Sequence, residues 1–204
     1  MLLDEASWMG RQRQDMALEV AAARRLFTRE EYHRMAEVGI LKPTDRVELI
    51  RGEIVEMSPI GRRHYAFVNN LSHLLIMGLA GRAIVAVQGP IVLAENTEPE
   101  PDLAVIRRRI PPYKDREAHT EDGLLLIEVA ESSLAYDRST KLRLYAAAGI
   151  PEYWVVDCGA ESIEVYRTPH PDGYRDVACV AGPTARVALQ AFPDVALALT
   201  EIFA

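Results

Sequence analysis

Three acidic residues of this chain stand beside apolar stretches that read as strands: Glu48 in VELI, Asp102 in PDLAVI and Glu128 in LLLIEVA. A carboxylate set among Leu124, Leu125, Leu126, Ile127 and Val129 is costly to ionise unless it is paired or bound to metal. Asp102 opens one strand and Glu128 lies near the end of another, so neighbouring strands would bring the two acids together at one edge of a sheet. Two carboxylates completed by water suit Mg, and Mn as its substitute, because Mg seldom takes an all-protein cage. Such an ion lowers the pKa of a bound water and neutralises charge on a phosphate. Lys141, early in the next predicted helix, can reach back over the strand end and offer an ammonium to the same reaction. The position that would share the side of Glu128 holds Ala130. On the residues alone the plainer roles stay open: Asp102 as a turn or cap residue, Glu48 or Glu128 on a solvated face, and Lys141 on the surface.

These side chains need a scaffold, and the pattern predicts one. TREEYHRMAEVG reads as a helix with Thr28 and Glu31 forming a capping box and Gly39 at its end. DRVELIRGEIVEMS reads as a hairpin turning at Arg51-Gly52. GRRHYAFVNNLSHLLIMGLAG has helical spacing. AIVAVQGPIVLA reads as a strand interrupted at Gly89-Pro90, and LAVI as a short strand after the stiff PEP entry. IPPYKDREAHTEDG is a polar loop. The strand 124 to 130 follows, then a helix over LAYDRSTKLRLYAAAG stopped by Gly149 and Pro151. EYWVVD is another strand, and SIEVYR and GYRDVACV form a hairpin about TPHPDG. A segment from ARVALQAF to ALTEIFA closes the chain. Paired strands followed by strands joined across helices predict an α/β fold, a mixed sheet flanked by helices. Residues 1–25 read as an N-terminal arm, with a helix over DMALEVAAARRL, and 26–204 as one domain.

At 204 residues, with 49% hydrophobic and 26% charged side chains, the chain has the composition of a soluble globular protein with a substantial core. Its longest apolar stretch is broken by His73, Gly78, Gly81 and Arg82, which argues against a membrane span. The N-terminus does not have the layout of a signal peptide. Cys158 and Cys179 form neither a disulfide framework nor a metal-ligand spacing. Both are expected to be small buried residues in a reducing compartment, and the expected location is the cytoplasm. The formal net charge of −7 counts against an extended phosphate-gripping surface. Arg24-Arg25, Arg62-Arg63 and Arg107-Arg108-Arg109 are local basic exceptions.

VELIRGEIVEMSP, PEPDLAVI, LLIEVAESSLAYDRSTKLRLYAAAGIPEYWVVD and the closing LTEIF, in that order, resemble the Uma-type family of bacterial putative restriction endonucleases from about residue 26 to 204. The resemblance implies a restriction-endonuclease-like fold, a central mixed β-sheet flanked by helices, and a variant PD-(D/E)xK nuclease site. Matched position by position, Pro101-Asp102 is the PD pair and Glu128 the second acid. Lys141 is the lysine moved from the strand to the following helix, which makes Ala130 the family pattern. Glu48 is the upstream acid and His64 a histidine common in the family. Glu131-Ser132-Ser133 departs from the usual Ser-Pro-Ser or Ser-Pro-Thr turn and adds a negative charge near the site.

The resemblance implies an Mg-dependent endonuclease acting on DNA, with Asp102 and Glu128 as metal ligands, Lys141 and Glu48 as further catalytic residues, and His64 and Gln88 as auxiliaries. The competing reading is an inactive nuclease-fold protein that binds or regulates. Asp137 reads as an N-cap or first-turn residue, Arg138 and Arg143 as candidates for a phosphate backbone, and Tyr145, Tyr153 and Trp154 as core or interface aromatics. A homodimer is expected through an open sheet edge, with Tyr153, Trp154, Val165 and Tyr166 on a strand-rich surface.

Overall fold

The computed structural model describes residues 24–110 and 113–204. The predicted arm helix falls almost wholly outside them. Helix α1 (Arg29–Glu37) begins on the predicted capping box: Thr28 accepts the Glu31 N–H, and the Glu31 carboxylate accepts the Thr28 N–H. Strands β1 (Val47–Ile50) and β2 (Glu53–Glu56) form the hairpin, turning through Arg51 at φ 51° and Gly52 at φ 82°. Two consecutive positive φ values favour glycine at the second position. Here a Cβ on Gly52 would also lie 2.6 Å from Leu26 Cβ.

Helix α2 (Arg62–Leu79) buries Phe67, Val68, Leu71, Leu75 and Leu79, a stripe at three- and four-residue spacing. The main sheet follows: β3 (Ala83–Val87), β4 (Leu103–Arg107), β5 (Gly123–Ala130), β6 (Glu152–Asp157), β7 (Ser162–His170) and β8 (Gly173–Ala181), adjacent in that order. All neighbours are antiparallel except β5 and β6. A parallel pair needs a crossover, and helix α3 supplies it in three consecutive segments: α-helical Leu134–Tyr136, π-helical Asp137–Lys141 and α-helical Leu142–Ala147. Strands β9 (Arg186–Ala188) and β10 (Ala196–Ala198) form a small hairpin before helix α4 (Leu199–Ile202).

The sheet has apolar layers on both faces. Leu125, Ile127 and Val129 join α2, β9, β10 and α4 on one side. Leu126 and Ala130 join Tyr145, Tyr153, Tyr166 and Tyr174 on the other. Each large aliphatic side chain so buried contributes about 1.5–3 kcal/mol.

Several sequence expectations change. Tyr153, Trp154, Val165 and Tyr166 are buried and offer no surface for a dimer, because β6 lies inside the sheet and β8 covers the outer edge of β7. Cys179, expected to be buried, is exposed on edge strand β8, whereas Cys158 is buried. Strand β7 runs through Thr168 and Pro169 to His170, so the hairpin turn is shorter than TPHPDG. The polar loop contains two short 3-10 turns, Tyr113–Asp115 and Thr120–Asp122. Among the described residues no helix is long and apolar enough to cross a membrane.

Candidate active site

The register of β4 on β5 brings the two strand acids together. Leu103 lies opposite Ile127, so one further step sets Asp102 beside Glu128. The Asp102 side chain is tied to β5 itself: its Oδ2 accepts the N–H of Val129, the residue after Glu128, at 2.8 Å. Alternation along β5 turns Glu128 to the same side as Leu126 and Ala130, the side that α3 covers. Glu48 comes from outside the main sheet. Its hairpin is held by mutual backbone hydrogen bonds between Leu49 and Glu98, and Glu48 Oε2 accepts the Glu100 N–H at 3.2 Å.

Lys141 joins Glu48 to Glu128. Its ammonium donates to Glu48 Oε2 at 2.6 Å and to Glu128 Oε1 at 3.1 Å, and all three side chains are buried. The Tyr145 hydroxyl donates to the same Glu128 oxygen at 2.6 Å and lies 3.5 Å from the ammonium. Tyr145 is fixed by edge-to-face packing on Tyr153, which stacks on Tyr166 and Tyr174. Asp137, Lys141 and Tyr145 recur every four residues, so one side of α3 carries all three.

His64, in the first turn of α2, reaches over the sheet end from the opposite face. Its Nδ1 is 2.7 Å from the Val129 carbonyl oxygen and its Nε2 is 3.1 Å from Asp102 Oδ1. The first contact requires a proton on Nδ1. The second is at ion-pair distance, but its angle falls short of a hydrogen bond. Gly61 has no side chain with which to cap α2, and the Glu131 carboxylate takes that place by accepting the His64 N–H at 3.2 Å. Glu131 therefore caps the helix carrying His64.

Glu48, His64, Asp102, Glu128, Glu131 and Lys141 line one cavity of about 320 Å³, together with Arg46, Glu56, Ser133, Tyr136 and Asp137. Its wall carries the carboxylates of Glu48, Glu56, Asp102, Glu128, Glu131 and Asp137 against the fixed cations of Arg46 and Lys141. Burial raises the pKa of Glu128, and the nearby acids add to this against Lys141. Burial alone would lower that of Lys141, but Glu128 and Glu48 outweigh it and hold the ammonium charged. The two tendencies oppose each other, since a proton on Glu128 would loosen the pair. The short Tyr145 donation and the neighbouring Lys141 ammonium favour the carboxylate form of Glu128. Burial also pushes Asp137 up to about 6, against the Ser133 hydroxyl bond at 2.6 Å.

The cavity thus gathers Glu48, Asp102, Glu128, Lys141 and His64. It does not gather Gln88, which is exposed at φ 48°; only its backbone N–H bears on the site, donating to the Asp102 carbonyl. Arg138 is engaged by Glu164 and Asp157, and Arg143 is exposed. Of the two roles expected of Asp137, N-cap and first-turn residue, it holds the second: it stands in the first turn of the π segment and borders the cavity. Sequence reasoning missed Arg46, Tyr136 and the hydroxyl of Tyr145. The four-residue spacing of Asp137, Lys141 and Tyr145 was the available signal for the last.

The donor set fits a hard divalent cation. Glu128 Oε2 takes no hydrogen bond among the described residues, and Asp102 Oδ1 has only the off-axis His64 contact, so each acid keeps an oxygen for an ion. Glu48, Asp102 and Glu128 do not gather as a trio within 4.8 Å. Among the described residues that proximity is met only by His33, Glu98 and Glu117, outside this cavity. There Arg29 already pairs with both glutamates.

A search of curated proteins gives no match. Among solved structures, one described as a putative nuclease belonging to DUF820 from Anabaena variabilis ATCC 29413 is similar. It is 19% identical, with a TM-score of 0.68 over 87% of this chain and 97% of that one. The likeness confirms the mixed-sheet α/β architecture. A family model, Uma2, described as "Putative restriction endonuclease", matches residues 29–200. With that match over most of its length, the chain belongs to the Uma2 family of putative restriction endonucleases.

Proposed function

We propose that the protein is a cytoplasmic, divalent-metal-dependent endodeoxyribonuclease that hydrolyses phosphodiester bonds in DNA. The observation that carries this reading is the convergence of Glu48, Asp102, Glu128 and Lys141 on one cavity. The charge balance of that cavity supports a cation, because a phosphodiester would be repelled by six carboxylate residues facing two fixed cations. Asp102 and Glu128 would hold Mg or Mn. When bound, the ion makes a coordinated water more acidic and offsets phosphate charge.

The chain's own residues orient and stabilise. Lys141, held by Glu48, presents its ammonium to the charge that grows on the phosphate. Tyr145 fixes the rotamer of Glu128, and His64 turns Asp102 toward the cavity.

The second reading, a nuclease fold that only binds or regulates, draws on the engagement of Lys141 by two acids. Incubation of single- and double-stranded DNA with the protein and Mg or Mn decides between them, with Glu128→Gln as control. Metal-dependent cleavage that the variant lacks supports the nuclease. Absence of cleavage, or equal cleavage by both proteins, overturns it.

A further inference from the structure

Arg46 stands one residue before β1, and the backbone ladder of the hairpin still includes it: its carbonyl accepts the Met57 N–H at 2.8 Å. Side chains two residues apart on a strand share a side. Arg46 therefore lies on the side of Glu48, whose carboxylate meets Lys141 within the cavity. Across the hairpin Val55 is opposite Glu48, and Met57 follows it two residues on. Arg46, Glu48, Val55 and Met57 all border the cavity. One side of the hairpin is thus a wall of the site, with Glu48 buried in it and Arg46 partly exposed at its end.

The guanidinium is held in place and still has donors to give. Its Nη1 donates to the Ser58 carbonyl at 2.8 Å, and Ser58 also borders the cavity. That bond leaves most of the N–H fork unused among the described residues. No described carboxylate pairs with Arg46, although six acidic residues border the same cavity. Lys141, the other fixed cation of the wall, is tied to both Glu48 and Glu128. The site therefore has one cation spent on its own acids and one whose free donors a ligand can reach.

We infer that Arg46 is a substrate-binding residue whose guanidinium donates to non-bridging oxygens of a DNA phosphate at the exposed end of the hairpin wall. The inference rests on the nuclease reading for the identity of that phosphate. A planar guanidinium offers parallel N–H groups that match two phosphate oxygens. The carboxylates of the wall repel the same phosphate, so a fixed cation beside them offsets part of that repulsion. The Ser58 carbonyl orients the fork before substrate arrives, which leaves less side-chain freedom to lose on binding.

The test compares wild type with Arg46→Gln, which removes the charge and keeps a donor for Ser58, and with Arg46→Lys, which keeps the charge. Affinity for labelled oligodeoxynucleotides is measured by fluorescence anisotropy with Ca over a series of salt concentrations. Cleavage of the same probes is followed with Mg or Mn, and melting temperature is read in chelator and with Mn. Loss of a hydrogen bond between charged groups predicts about 10- to 100-fold weaker binding by Arg46→Gln. One phosphate contact fewer should also flatten the plot of log affinity against log salt by about 0.9 on duplex and about 0.7 on single strands. Arg46→Lys should keep the wild-type slope. The Mn-induced rise in melting temperature should be no smaller in Arg46→Gln, because the metal-binding acids are untouched. Wild-type affinity and slope in Arg46→Gln overturn the inference. Weaker binding with an unchanged slope also overturns it, as the mark of a structural role, and so does a smaller Mn-induced rise, which would place the effect at the metal. If wild type binds the probe without cutting it, the nuclease reading fails while the salt slope still judges Arg46. If wild type neither binds nor cuts, both readings fall.

Discussion

Lys141 Nζ lies 2.6 Å from Glu48 Oε2, across 93 residues of chain. A strand of the outer hairpin and the crossover helix thus meet at one buried ion pair. The same ammonium, 3.1 Å from Glu128, keeps two acids close together without metal. Replacement by Met removes the charge and retains most of the volume. Breaking a buried pair from one side costs about 3–5 kcal/mol. Lys141→Met should therefore melt well below wild type in chelator and should not cleave DNA. Mn should restore part of its melting temperature, since an ion can take over neutralisation. A variant as stable as wild type in chelator would show that the pair contributes nothing.

Metal binding should separate Asp102 from Lys141. An ion that binds only the native state at a hundredfold excess over Kd stabilises it by about 2.7 kcal/mol. Melting temperature should rise with Mn at fixed ionic strength. Asp102→Asn should reduce that rise and abolish cleavage, because an amide oxygen is a neutral and weaker ligand. Equal shifts in both proteins would remove Asp102 from the ligand set.

The Asp102–His64 contact sets a pH dependence in the metal-free protein. Burial alone would lower the His64 pKa; the Asp102 carboxylate and the Val129 carbonyl outweigh it and leave the pKa raised. A raised folded pKa means that the stabilisation is fully present below the unfolded value, about 6.5. It is lost as pH rises through the folded value. Wild type should lose more stability than Asp102→Asn over that window, and NMR titration should find the His64 pKa above 6.5 in wild type and lower in the variant. Identical titrations would mean the contact carries no charge coupling.

Tyr145→Phe removes the only hydroxyl that donates to Glu128 Oε1 among the described residues. Lys141 remains on that oxygen, so the carboxylate stays partly satisfied. Denaturant unfolding should show a loss of about 1–3 kcal/mol, with reduced cleavage because the rotamer of Glu128 is freed. Unchanged stability would mean that the aromatic packing alone fixes this corner.

Glu131→Ala should have opposite effects on fold and on binding. It removes the carboxylate that caps α2, a loss of about 1 kcal/mol, and one negative charge from the cavity wall. Melting temperature should fall slightly while affinity for DNA, measured by anisotropy with Ca, rises. Lower affinity would make Glu131 a contributor to substrate or metal binding.

Local signals were legible because they act within a few residues. The Thr28–Glu31 box, the Arg51-Gly52 turn, the apolar stripe of α2 and the unbroken apolar run before Glu128 each follow from short-range sterics or periodicity. The candidate acids and the lysine were legible too, through their strand-edge placement and through the family motif. What only the tertiary structure decided is which of their neighbours share the site. Strand register set Asp102 beside Glu128, and the hairpin's attachment at Glu98 delivered Glu48 to Lys141. Tyr136 and Asp137, where the π segment of α3 begins, border the cavity, with Asp137 in the first turn of that segment as one of its two expected roles had it. Gln88 lies close in sequence to the same sheet edge, yet its positive φ turns it out to solvent. Glu131 looked like a departure from a loop pattern and proved to be a helix cap, because its partner His64 lies 67 residues away. Hydrogen bonds and ion pairs fall off within a few ångströms, so they depend on distances that strand register and helix phase set and that the order of residues along the chain does not record.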